Sequence, residues 1–502
     1  MEAYEAWKLN SPEAGTSHLG VNSKGNLVIK ANGYVYDVYD LARRHGTPLE
    51  ILVPEVVTNQ AKALKNSFET AIKKIGYSGT YTHCYPLKSN PLPDIVRPAI
   101  AGGASIEIGT IGEAHVADNL YRTGELPRDS LVTCNGAKEE RYLEKILWLQ
   151  KDSHNIIPVI EAEQEYFEVK RLAGEIGLEK VAVGLRVRTG VDLGDATHWN
   201  SATEQNPFGL KEPDAVKLLE DYLLKDKEVS LQLLHCHAGS QIERLDGIVS
   251  AVEAITKTYA EFKKIGAEDL EHLDIGGGLP TTYDKSRTLF SIEDYANAVV
   301  KTIKENCDPF GVKTPNIIVE AGRWTSAPSQ ITVFGTLYTK SVIGDLRFAR
   351  VDGSPMTDLP DTWGVQQNFW VLPVNGLDKF DDLKPYWLAG MTCDSDDVYP
   401  PKDHSGKSFE KLAKVMLPEV NEKCQLPKTG KKLYIAFLDT GAYQDSLSGT
   451  KGVKHCLLGD AKKIRINADN TIDVIIDRSS PGELVRKIGW KFNGENSLQK
   501  SP

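Results

Sequence analysis

No stretch of this 502-residue chain approaches eighteen consecutive apolar residues, so nothing in it reads as a membrane-crossing helix. The opening MEAYEAWKLNSPEAG lacks the basic flank and apolar run of a secretory signal, and the expected compartment is the cytoplasm. Cysteine is sparse. Its seven copies (84, 134, 236, 307, 393, 424 and 456) are odd in number, widely spread and without a C-x-x-C pair, which argues against a disulfide framework and predicts mostly buried thiols. Cations are in deficit: 59 Lys and Arg face 69 Asp and Glu, a net charge of −10, so nucleic acid is not expected as a partner. There is no low-complexity tract and no repeat beyond the alternation described next.

Hydrophobic residues make up 41% of the chain, enough to fill ordinary cores. Between residues 80 and 323 the pattern alternates strand and helix eight times. The strand-like runs are 81–88, 105–109, 130–136, 156–162, 181–188, 229–240, 270–278 and 316–323, with amphipathic segments such as KEERYLEKILWLQ between most of them. Eight such units predict a closed (β/α)8 TIM-like barrel. After Arg323 the period becomes two, in ITVFGTLYTKSVI, NFWVLPVN, PYWLAGMTC, LYIAFLDTGAY and KIRINADNTIDVIID. The expected class is therefore α/β plus all-β: a TIM-like barrel and a C-terminal β domain completed by N-terminal residues. The expected division is 1–50 (N-terminal contribution to the β domain), 51–328 (barrel), 329–490 (β domain) and 491–502 (polar tail).

Barrel active sites lie at the C-terminal ends of the strands, and Lys88, Glu107, Arg186, His237, Gly276, Gly277, Gly278 and Glu320 all fall at or near those ends. Each has a bland reading as well. A lysine after a strand is usually a solvated end residue, yet the neighbours Cys84, Tyr85, Pro86 and Leu87 predict a desolvated amine suited to a Schiff base. Three consecutive glycines make a tight turn, and they also bare the backbone N–H groups that wrap an anion. His235 and His237, two apart on one expected strand, raise a zinc site; a third ligand at suitable spacing is missing, and a histidine beside Gly239–Ser240 can instead stack on an aromatic cofactor. Glu320 reads as a salt-bridge partner of Arg323 or as the carboxylate that keeps a pyridine nitrogen protonated.

In this order, Lys88 in CYPLK, His237 in HAGS, the Gly276–Gly278 loop, Glu320 and Arg323 in EAGR, Cys393 with Asp394, and Gly441 to Tyr443 resemble the pyridoxal-phosphate decarboxylases of the alanine-racemase-like fold that act on basic amino acids. VTCNGAKEERYLEKI, LPDTWGVQQNFWVLPVN, MTCDSDD and FLDTGAYQDSLSG are most similar to biosynthetic arginine decarboxylases. The 37 residues between Arg323 and Asp361 match a shorter branch without the long insertion of that group. The resemblance implies pyridoxal 5'-phosphate as cofactor, carried by Lys88, stacked by His237 and supported by Glu107 and Arg186. Ser240, Gly276–Gly278, Arg323 and Tyr443 would hold its phosphate, and Glu320 its ring nitrogen.

By the same resemblance Cys393 protonates the product carbon, and Asp394 with Asp361 binds the distal cation. The implied reaction is arginine to agmatine and carbon dioxide, a step of polyamine biosynthesis, in a homodimer whose sites lie at the subunit interface. Ornithine, lysine and diaminopimelate remain as alternative substrates, and a Mg2+ requirement is not readable from the chain. A racemase of the same fold would carry arginine at the pyridine nitrogen and tyrosine in place of Cys393. A non-catalytic homologue should have lost Lys88 or the Cys393–Asp394 pair.

Overall fold

The barrel strands follow from the apolar runs. A computed structural model describes residues 5, 7–194, 199–200, 206–343, 346–378, 383–401, 414–427 and 429–491, and of the expected polar tail all but residue 491 lies outside them. Eight strands occupy the expected runs: β1 (Tyr81–Pro86), β2 (Ser105–Ile108), β3 (Val132–Cys134), β4 (Ile156–Ile160), β5 (Val181–Arg188), β6 (Val229–His235), β7 (His272–Asp274) and β8 (Asn316–Val319). Each pairs in parallel with the next, and β8 returns to β1 with Val319 opposite His83, closing the barrel. Cys84, Leu131, Ile157, Val159, Leu233 and Ile318 pack as one buried apolar cluster, and a larger one joins the strands to helices such as Leu245–Ile265 and Ile292–Cys307. Parallel strands covered by helices are buried on both faces, which is why they read as continuous apolar runs.

Several strands are shorter than the sequence suggested. β6 stops at His235, β7 at Asp274 and β8 at Val319, so His237, Gly276–Gly278 and Glu320 sit just beyond the strand ends. Gly276 explains one stop. Its φ of +68° is left-handed, and a Cβ there would come within 2.8 Å of Cys236 O and His237 Nδ1.

The second unit is mostly sheet. Gln330–Ile343 pairs antiparallel with Leu346–Val351 on one side, and with both Leu49–Leu52 and Tyr434–Phe437 along its first half. Leu49–Leu52 also runs parallel to Lys462–Ile466, so N-terminal residues complete the β domain from within its sheet, as expected. Leu19–Val21, Leu27–Ala31 and Tyr34–Asp37 form a separate three-stranded sheet, and Asp37 caps the following helix, Val38–His45. By internal contacts the compact units are Val57–Thr281 with Leu289–Ser326, and Met1–Val56 with Thr282–Thr288 and Ala327–Pro502. The short segment 282–288 joins the sheet unit because buried Lys285 meets buried Asp439 at 2.5 Å. Among the described residues no helix is long and apolar enough to cross a membrane.

Candidate active site

At the C-terminal rim of the barrel, Lys88 Nζ lies 3.8 Å from Glu107 Oε2. The desolvated setting expected for Lys88 is not found. Cys84, Tyr85 and Leu87 turn into the protein, but half of the Lys88 side chain is exposed in the single chain, because β1 ends at Pro86 and the next turn lifts the amine to the rim. Glu107 is buried, which raises its pKa, and the Lys88 ammonium opposes that shift.

Glu320 is buried beside it. Its Oε1 accepts from Asn135 Nδ2 at 2.7 Å and from Thr133 Oγ1 at 3.4 Å, while Asn135 Nδ2 also reaches Glu107 Oε1 at 3.0 Å. Behind Glu320 stand Asp274, fully buried, and His235, whose Nδ1 lies 3.1 Å from Asp274 Oδ2. Burial first, then the charge of Asp274, pushes Glu320 up to about 7, and burial brings Asp274 to about 7 as well. Desolvation holds His235 down to about 4, so its ring is neutral. His235, Asp274 and Glu320 bring one ligand atom each within 4.8 Å of the others.

The glycine loop and His237 are built on each other. Gly277 N–H donates to His237 Nδ1 at 3.1 Å, which places the proton of the neutral ring on Nε2. Burial, with Lys88 and Arg186 nearby, holds the His237 pKa well below its usual value. Since β6 ends at His235, the two histidines do not form a strand-borne pair. His235 turns to Asp274, His237 to the glycine loop. Ser240 lies in the short strand Gly239–Ser240, and Arg323 in the helical turn Gly322–Ser326 that follows Glu320. Arg186 reaches Glu161 at 3.0 Å and lies over the Phe208 ring at 5.0 Å.

The remaining expected residues belong to the sheet unit. Cys393 and Asp394 line a cavity of about 380 Å³ with Tyr338, Arg350 and Thr392. Cys393 is one of two exposed cysteines, the other five being buried as expected, and its Sγ lies 3.9 Å from that of Cys456. Asp394 Oδ2 is 3.4 Å from His455 Nε2. Asp361 is not among the residues lining this cavity; it is buried, and Gln444 Nε2 donates to it at 3.1 Å. Tyr443 takes a left-handed conformation, φ +66°, just before the helix Gln444–Ser448.

Residues 59–327 match the family model described as "Pyridoxal-dependent decarboxylase, pyridoxal binding domain". The chain belongs to this family. The biosynthetic arginine decarboxylase of Prochlorococcus marinus (strain MIT 9303) is 31% identical over 349 residues, 66% of this chain and 53% of the relative. The alignment thus spans about half the length of that relative. The biosynthetic arginine decarboxylase of Phocaeicola vulgatus is 24% identical over 584 aligned positions, 94% of this chain and 89% of its own. The crystal structure of the biosynthetic arginine decarboxylase from Campylobacter jejuni superposes with a TM-score of 0.77 at 21% identity, covering 97% of this chain and 92% of that one.

The rim fits the family's cofactor. Buried Glu320, joined to Glu107 through Asn135 Nδ2, offers an acidic partner for a pyridine ring nitrogen. The glycine loop leaves backbone where side chains would block an anion: a Cβ on Gly277 would meet Glu320 O at 2.9 Å, and on Gly278 Ile242 Cδ1 at 2.7 Å. Gly276→Ala, combining a left-handed φ with that crowding, should weaken pyridoxal phosphate binding on the order of tenfold or more. Equilibrium dialysis of the variant checks this, and unaltered affinity would remove the loop from the phosphate site.

Asn135, Asp274 and Lys138 were not anticipated. Lys138 is a second rim amine and, unlike Lys88, is buried, its Nζ donating to Gly136 O at 2.5 Å and Val159 O at 2.6 Å. The local signals were the C-N-G turn after β3 and, for Asp274, its place just before the glycine loop; both mark strand ends but not what the side chains touch.

Proposed function

We propose that this protein decarboxylates L-arginine to agmatine and carbon dioxide with pyridoxal 5'-phosphate, in the cytoplasm and as a homodimer. The observation that carries the reading is the meeting, on one barrel rim, of Lys88, Glu107, His237, the bare Gly276–Gly278 backbone and buried Glu320. When bound, pyridoxal phosphate supplies an aldehyde that condenses with amines and a ring that accepts the electron pair left behind by departing carbon dioxide.

The chain's own groups do the rest. Lys88 would hold the cofactor through its amine, the nucleophile at the rim beside Glu107. The N–H groups of the glycine loop, with Ser240, Arg323 and Tyr443, hold the phosphate. His237, neutral and oriented by the Gly277 N–H, would support the cofactor ring together with Arg186 and Glu107. Glu320 keeps the ring nitrogen protonated, and Asn135 fixes the carboxylate that does so. Asp394 takes the guanidinium as a bidentate acceptor, and Cys393 beside it delivers the proton to the α-carbon; buried Asp361, held by Gln444 and outside the cavity that Asp394 lines, is the weaker candidate for the distal cation. In the dimer Cys393 serves the Lys88 of the partner chain.

Substrate choice is tested by supplying arginine, ornithine, lysine and diaminopimelate separately and measuring released carbon dioxide. Arginine should give the highest kcat/KM, and a faster rival would replace it as substrate. Cys393→Ala should lower kcat on the order of 10²-fold with little change in KM, and divert some turnovers to the amine form of the cofactor. Clean amine product at the parent rate would exclude the thiol as the acid.

A further inference from the structure

Five of the seven cysteines are buried, the usual place for a free thiol. The two that are exposed, Cys393 and Cys456, stand 63 residues apart in the chain, and they meet, with their sulfurs 3.9 Å apart in S–H···S contact. Each is presented by its own anchored turn of the sheet unit. On one side, buried Asp397 accepts from the Thr392 N–H at 2.9 Å and Thr392 Oγ1 at 2.7 Å through Oδ2, and from Ser354 Oγ at 2.8 Å and the Met356 N–H at 3.1 Å through Oδ1. The Asp394 N–H donates to Thr392 Oγ1 at 3.3 Å, so both chain neighbours of Cys393 are tied down. On the other side the Lys454 N–H closes a loop on Leu458 O at 2.8 Å, and the buried Lys454 Nζ lies 3.4 Å from Asp358 Oδ1 and 3.5 Å from Asp460 Oδ1. Cys456 rides at the tip of that loop with a left-handed φ of +55°, followed by Leu457 at +57°. Two such residues in a row persist only where the surrounding structure holds them. The two turns approach a second time where His455 Nε2 lies 3.4 Å from Asp394 Oδ2. Core packing does not account for the meeting of the thiols, since neither is buried.

We propose that Cys393 and Cys456 form a modification site that a hydroperoxide oxidises, closing a disulfide within the chain. The sulfurs have to move from 3.9 Å to the roughly 2.05 Å of the bond, within reach of two exposed side chains. Cys393 also lines the cavity of about 380 Å³ beside Asp394, so an oxidant far smaller than an amino acid reaches it. In the homodimer proposed above, the same thiol stays open to the incoming substrate. One sulfur, as its thiolate, attacks hydrogen peroxide; the O–O bond breaks, a sulfenic acid forms and hydroxide leaves. The second sulfur then attacks the first, the S–O bond breaks, and the other oxygen leaves as hydroxide. The two thiol protons turn both hydroxides into water, and the two sulfurs together give up the two electrons that reduce the peroxide. A dithiol reductant reopens the bond by exchange. The effect on turnover rests on the reading of Cys393 as proton donor given above, because in the disulfide its sulfur has no proton to deliver. The site itself rests on the apposition and exposure of the two thiols.

The test treats the pyridoxal-phosphate-loaded protein with graded hydrogen peroxide, removes the excess with catalase and blocks the remaining thiols with iodoacetamide under denaturing conditions. Mass spectrometry of the unreduced digest should find the Cys393 and Cys456 peptides joined within one chain, and the count of free thiols should fall by two from seven. Dithiothreitol should restore all seven. Decarboxylation by the oxidised parent should drop on the order of tenfold or more and return with the thiols. Cys456→Ser, a small polar exchange at an exposed position, should work at the parent rate before treatment and form no link after it. Seven thiols surviving the peroxide, a disulfide between subunits, or Cys393 carried to its sulfinic acid with Cys456 still free overturns the proposal. These readings of the parent need no variant, so they decide the matter even if Cys456→Ser does not fold. If the link forms and turnover is unchanged, the reading of Cys393 as proton donor fails while the modification site stands.

Discussion

Lys88→Ala is expected to reduce arginine decarboxylation on the order of 10³-fold or more, while the purified protein still binds pyridoxal phosphate through the glycine loop. Borohydride should no longer fix the cofactor to the chain. The sharpest competitor is Lys138, also at the rim and with its pKa lowered by burial, as a Schiff-base amine requires. Its ammonium, however, is committed to the carbonyls of Gly136 and Val159, and freeing it would leave both buried acceptors unpaired. Lys88 has its amine at the open rim beside Glu107. Borohydride fixation that persists in Lys88→Ala and disappears in Lys138→Ala would move the tether.

The barrel was legible because parallel strands sandwiched between core and helices must be apolar on both faces, and all eight appeared as runs such as IIPVI and VAVGLRVR. The glycine loop, too, could be read from residue type alone. What joins the site was hidden, because its contacts are remote in sequence: Asn135 meets Glu320 across 185 residues and Thr133 meets it across 187. The half-exposed Lys88 shows the opposite error, since apolar neighbours in sequence do not bury a side chain that the turn points outward. In the sheet unit, fully buried Lys463 sits at 2.5 Å from Asp445 and 3.1 Å from Glu50, with Gln330 Oε1 at 2.8 Å. Its charge, read alone, marks a surface position; three distant acceptors make it a core residue. Leu346–Val351 was missed because two arginines interrupt its apolar pattern.

Mixed dimers test the assembly. Lys88 belongs to the barrel unit and Cys393 to the sheet unit, so a variant of either removes half of the proposed chemistry from each chain. Lys88→Ala and Cys393→Ala homodimers should both be nearly inactive, each carrying the same lesion at both of its sites. In a heterodimer with sites shared between subunits, one site receives the intact lysine of one chain and the intact cysteine of the other, and the second site receives both lesions. Equal mixing with free exchange makes about half of the dimers mixed, each with one working site of two, so roughly a quarter of the parent activity should return. Sites built within single chains would leave every site with one lesion whatever the pairing. Activity that stays at the level of the separate variants after demonstrated subunit exchange would therefore place Lys88 and Cys393 of one site in the same chain.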